Sequence, residues 1–118
     1  MTGRPEWDGK PVPDATATVV NLRHAPEAGD DLVRIDRKTR WGNPYRKGPH
    51  GSRLAVIELY RAHLRRFLRS GEIGLEDLAA LDGKRLACWC APQPCHGDVL
   101  KDAAAWAVQE LRRRKGAA

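Results

Sequence analysis

The 118-residue sequence predicts a single-domain α/β protein, a small Rossmann-like sandwich in which a short, partly parallel sheet is flanked by helices. Three observations carry that expectation. The length is enough for one hydrophobic core and too short for two. Runs rich in β-branched residues alternate with runs of helical period. Finally, Cys88 to Asp98 has the form of a strand end, a proline turn and a helix start, the place where α/β proteins gather ligands.

The elements follow in order. Residues 1–14, with Pro5, Pro11 and Pro13, read as a flexible arm ahead of a domain over 15–114, and residues 115–118 as a tail. Thr16–Leu22 is rich in β-branched residues and is the first strand. Arg23–Asp31 connects it to Leu32–Asp36, where apolar and polar residues alternate as in a second strand. Arg37–Gly51 has no period and is dominated by Gly, Pro, Asn and basic residues, a long loop of functional type. Ser52–Arg69 is the clearest helix: Val56, Ile57, Tyr60, Leu64, Phe67 and Leu68 fall within about 120° on a helical wheel. Arg61, Arg65 and Arg69 take the opposite side, Ser52 suits an N-cap and Gly71 a terminator. Leu75–Leu81 is a short second helix. Arg85–Cys90 is a third strand, apolar enough to be central, and Pro92 and Pro94 break it. His96–Arg114 closes the chain as a long helix with Val99, Leu100, Ala103, Ala107 and Leu111 facing inward.

Composition narrows the function classes. Hydrophobic residues make up 42% and charged residues 31%, and no stretch approaches the roughly 20 apolar residues that would span a bilayer. The N-terminus has no apolar run of the signal-peptide kind. Three cysteines within eight positions speak for thiol or metal chemistry over a disulfide framework, and the expectation is a cytoplasmic protein without membrane partners. The net charge is +6, and it is concentrated: between Arg34 and Arg53 seven cations stand against Asp36 alone. A focused basic patch attracts phosphates, on a small molecule or on a nucleic acid. A solvated basic surface is the plain alternative.

Two constellations carry chemistry. Cys88 and Cys90 are two apart on a strand and share a face, while Cys95 and His96 arrive at a helix start. A thiol there is acidified by the helix dipole, so Cys95 suits a nucleophile or redox-active thiol, with Cys90 beside it. His96 suits its acid or base, and Asp98 an orienting carboxylate or simply a favourable charge in the first helical turn. Cys88, Cys90, Cys95 and His96 also supply the ligand types of a Cys3His zinc site, although C-x-C-x4-C-H is not a usual finger spacing. Cys88 can equally be a small buried core residue. The second constellation runs from Arg37 to Arg46. Arg37, Arg40 and Arg46 offer forked donors for phosphate, Trp41 and Tyr45 flat faces for a base, and Asn43 an edge-reading amide. The competing reading makes Asn43 the start of a turn before Pro44 and Trp41 a lid on the core.

These residues resemble a family. Arg37 followed by Trp41-Gly42-Asn43-Pro44-Tyr45, a helix, and then Cys88-Trp89-Cys90-x-Pro92-x-x-Cys95-His96-Gly97-Asp98 looks like a group of small bacterial and bacteriophage proteins known as a domain of unknown function. The likeness spans about residues 17–107. It implies no reaction, and its phage occurrence suggests a link to nucleotides or nucleic acids. A second uncharacterised bacterial family with a C-x-E…C-H-R pattern is also similar, with Cys90 standing where its acid would be.

The leading expectation is an enzyme that needs no cofactor, acting on a nucleotide, nucleoside or nucleic-acid-derived substrate through its Cys/His site. The alternative is a non-catalytic nucleic-acid-binding module whose cysteine cluster holds structural zinc. A protein–protein adaptor is the third possibility.

Overall fold

Three strands pair into one sheet: Thr18–Asn21 (β1), Leu32–Arg34 (β2) and Arg85–Cys88 (β3), in the order β1-β3-β2. A computed structural model describes residues 7–24 and 26–117. Both pairings are parallel, Val19 lying opposite Leu86 in one and Val33 opposite Leu86 in the other. The sheet is therefore parallel throughout rather than partly so. β3 is central, as its apolar sequence requires: Leu86 and Ala87 are fully buried and Cys88 nearly so. Each strand is shorter than the sequence suggests, because the chain leaves the ladder early. After β1 it enters a 3-10 turn, Leu22–His24, and beyond β3 the backbone is held by a side chain instead. The Asn21 amide donates to the carbonyls of Ala91, at 2.7 Å, and Trp89, at 3.3 Å.

Three helices complete the fold: Arg53–Ser70 (α1), Leu75–Ala79 (α2) and His96–Ala117 (α3). α1 begins where the Ser52 hydroxyl accepts the Ala55 N–H and ends where Gly71, at φ 85°, takes the left-handed conformation that its lack of a Cβ allows. Its apolar stripe buries Val56, Ile57, Tyr60 and Leu64. α3 packs on β1, β3 and both other helices, with Val99, Leu100, Ala103 and Ala107 at zero exposure. The small alanines let this helix approach closely. It runs on through Ala117, so residues 115–117 are helix rather than tail.

The part of the expected N-terminal arm that can be described, residues 7–14, lies against the domain. Trp7 is 2% exposed and belongs to the core. Arg61 donates to the Gly9 carbonyl at 2.6 Å and Arg65 to the Trp7 carbonyl at 3.0 Å. These arginines, expected on a solvent face, reach to backbone carbonyls of the arm, Arg61 while also pairing with Glu58 and laying its stem against Gly9. Residues 1–6 lie outside the described residues. Among the described residues no helix is long and apolar enough to cross a membrane.

Candidate thiol-lined anion site

The site forms where the central strand ends. Cys95 is at once a core residue and the cap of α3. Its sulfur accepts the Gly97 N–H at 3.3 Å, and its own N–H donates to the Asp98 carboxylate at 3.0 Å. This is a reciprocal capping arrangement with a thiol in the usual hydroxyl position. Asp98 is therefore engaged in starting the helix. Replacing it with alanine is expected to cost about 1 kcal/mol of folding stability, read as a lower urea midpoint at unchanged slope. Gly97 is needed for closeness, because a Cβ there would lie 2.9 Å from Ile35 and 3.0 Å from Val19.

The three sulfurs converge. Cys88 and Cys95 are 3.3 Å apart, and the Sγ atoms of Cys88, Cys90 and Cys95 all lie within 4.8 Å of one another. Such a group could hold a metal ion. His96 is outside it, contrary to the Cys3His expectation. Successive helical residues diverge by about 100° around the axis, and the His96 ring is turned to the backbone of Ile35, with Nε2 2.6 Å from that carbonyl. A carbonyl can only accept, so Nε2 carries the proton and Nδ1 keeps the lone pair. Tyr60 stacks edge-on against the ring at 5.0 Å between centroids. Burial pushes the His96 pKa down, so the ring is neutral.

The three thiols differ in access and acidity. Cys88 and Cys95 are 2% and 3% exposed, whereas Cys90 is half-buried. Hydrogen bonds with Cys88 and Cys95 hold the Cys90 thiol far below its ordinary range, and the Arg53 guanidinium adds to this. The same bonds, with burial, push Cys95 up, and the bond with Cys90 raises Cys88. These directions favour a thiolate on Cys90, the accessible sulfur, over one on Cys88 or Cys95.

The Trp-Gly-Asn-Pro loop builds one wall. Trp41 is 7% exposed, in the core, and its carbonyl accepts the Tyr60 hydroxyl at 2.8 Å. The Asn43 amide donates to the Val56 carbonyl at 3.1 Å while its oxygen accepts the Tyr45 N–H at 2.9 Å. Arg37 donates to the carbonyls of Asn43 and Tyr45. Arg40 lies 5.0 Å over the Trp41 ring and reaches toward Asp77 on α2. The loop is a self-bonded scaffold, and its two lid-and-turn residues are Trp41 and Asn43.

Between this loop and the cysteine turn lies a cavity of about 400 Å³, a size that suits a small molecule. Four cations line it: Arg37, Lys38, Lys47 and Arg53. Cys88, Cys90, Cys95 and His96 form its floor, with Asn43, Tyr45 and Trp89 on the walls. Arg40, Trp41 and Arg46 do not line it. A larger cavity of about 590 Å³, between Trp7, Leu68, Ile73 and Trp106, shares no residue with it and contains neither cysteine nor histidine. Sequence reasoning counted Lys38, Lys47 and Arg53 in the basic run without assigning them to the site, and gave Trp89 no role. For Arg53 the signal was available, since the first residue after the Ser52 cap must lie beside whatever meets the helix start; it donates to the Pro94 carbonyl at 3.3 Å.

Asp36 also lines the cavity and is its one acid. Its carboxyl is held below the usual range, first by the hydrogen bond from Arg34, 2.6 Å away, and to a smaller degree by the Trp89 indole. A lowered folded pKa stabilises the fold above the unfolded value of about 3.9, and that contribution fades as pH falls through the folded value. Asp36→Asn is therefore expected to be less stable than wild type at pH 7, with the gap in urea midpoint narrowing below about pH 4.

Fold and site together define a small parallel α/β protein with a thiol-floored, cation-rimmed cavity at the carboxyl end of its central strand. The chain belongs to a family described as a domain of unknown function (DUF4326), whose match covers residues 20–106. It is also similar to an uncharacterized 12.4 kDa protein from the nrdA-td intergenic region of Enterobacteria phage T4, 48% identical over 68 residues. That match covers 58% of this chain and 62% of the phage protein. No solved structure matches the chain.

Proposed function

We propose that the chain is an enzyme acting on a phosphate-bearing nucleotide, nucleoside or nucleic-acid-derived substrate bound in the 400 Å³ cavity. The observation that carries this reading is the convergence, in one cavity, of four cations with an accessible thiol, Cys90. Arg37, Lys38, Lys47 and Arg53 hold the anionic group; guanidinium forks and ammonium charges at a strand end suit phosphate oxygens. Cys90 is the nucleophile, taking the role that sequence alone gave to Cys95, because it is the sulfur a substrate can reach. His96, with Nε2 committed to Ile35, acts as base through Nδ1. The test is incubation with a panel of nucleosides and nucleotides, followed by mass spectrometry of the products. Wild type is expected to convert a member of the panel, and Cys90→Ser to bind that member without converting it. Full turnover by Cys90→Ser would remove the nucleophile, and failure of wild type to bind any member would remove the reading.

The spacing of the three sulfurs favours a second reading, in which Cys88, Cys90 and Cys95 hold zinc. Three thiolates leave one tetrahedral position for water or substrate. This reading predicts one equivalent of zinc in purified protein and loss of stability on chelation.

A further inference from the structure

Trp89 stands apart from the other aromatic side chains. Trp7, Trp41 and Tyr60 are buried, while Trp89 is 53% exposed, the most open aromatic among the described residues. It follows the central strand and lines the cavity between two cysteines. Its backbone is pinned from the neighbouring strand. Asn21 holds the carbonyls of Trp89 and Ala91, and Asp36, anchored by Arg34, lines the same cavity. A large apolar ring left in water gains nothing for folding. An exposed ring on a pinned backbone, lining a cavity rimmed by cations, is placed to receive another planar group.

We propose that Trp89 is the stacking platform that selects a planar heterocyclic base, so that the ligand is a nucleoside phosphate rather than a sugar phosphate. The base lies on the indole while its phosphate meets the cations of the rim. This inference rests on the phosphate-binding reading above. It moves base recognition from Trp41, which is buried, to Trp89.

The test is titration calorimetry of the full chain with the four common ribonucleoside 5′-monophosphates, ribose 5-phosphate and inorganic phosphate. Wild type, Trp89→Phe and Trp89→Ala are compared. Wild type is expected to bind at least one nucleotide about 5- to 150-fold more tightly than ribose 5-phosphate, the range that one base–aromatic stack supplies. Trp89→Ala is expected to lose that preference and keep its affinity for ribose 5-phosphate, while Trp89→Phe retains most of it. A preference undiminished in Trp89→Ala, or equal binding of nucleotide and ribose 5-phosphate by wild type, overturns the stacking role and leaves the phosphate site standing. Wild type binding none of the probes overturns both.

Discussion

Gly42→Ala is expected to destabilise the protein by roughly 2–3 kcal/mol, the scale of forced overpacking. The added Cβ would lie 2.6 Å from the Arg37 Cα and 2.7 Å from the Asp36 carbonyl oxygen. Both are backbone atoms, which cannot rotate away as a side-chain tip can. The turn from Asp36 to Asn43 would have to open. That would strain the Thr39 bonds to the Asp36 carbonyl and the Arg37 bond to the Asn43 carbonyl. Since Asp36, Arg37 and Asn43 also line the cavity, ligand binding should weaken along with stability. Two other glycines calibrate the effect. At Gly97 the close atoms are side-chain tips of Ile35 and Val19, so alanine should cost less than at Gly42. Gly116 has nothing within 4 Å and sits on α3, so alanine there should be neutral or stabilising. Urea unfolding of the three variants checks the ranking.

Native-state alkylation is expected to modify Cys90 alone. Cys88 and Cys95 are almost wholly buried, one in the central strand and one beneath the start of α3, so a reagent reaches them only when the fold opens. Cys90 is half-buried, lines the cavity and lies beside Arg53. Iodoacetamide at pH 7, followed by peptide mass spectrometry, should therefore label Cys90 first, and the other two only in urea. Arg53→Gln should leave the native reaction at pH 7 close to the wild-type rate, because the bonds with Cys88 and Cys95 are the larger causes of the thiolate. The same measurement separates the two readings of the cluster. If the three sulfurs hold zinc, none should react until a chelator is added.

The sequence made the fold legible where a periodic pattern coincided with a stop signal. The stripe from Val56 to Leu64, the Ser52 cap and the Gly71 terminator all appear in α1 as read. The central position of β3 followed from its unbroken apolar run. Strand ends were less legible, since they depend on when a neighbouring strand departs and on the Asn21 side chain, a contact across about 70 residues. The docking of Gly9 and Trp7 on Arg61 and Arg65 was hidden for the same reason.

At the site the three cysteines do come together, although β3 ends at Cys88 and Cys90 is brought beside it by the bend that follows rather than by strand alternation. The separation of His96 from Cys95 reflects helix geometry acting on adjacent residues. Residue type alone could not sort the basic loop. Asn43 looks like a ligand-reader but is committed to the Val56 carbonyl and the Tyr45 N–H, and Trp41 looks like a stacking face but fills the core. The cavity is completed by Lys38, Lys47, Arg53 and Trp89, which residue type and spacing did not mark as a set.

Protection of Cys90 by ligand tests the proposed phosphate site most directly. Alkylation rates of Cys90 would be measured alone and with nucleosides, nucleoside mono-, di- and triphosphates, and inorganic phosphate at matched ionic strength. A cavity that seats a nucleoside phosphate over Cys90 predicts that at least one nucleotide slows the reaction saturably. It also predicts that the protection weakens in a Lys47→Gln, Arg53→Gln double variant. An alkylation rate that no member of the panel changes would contradict it.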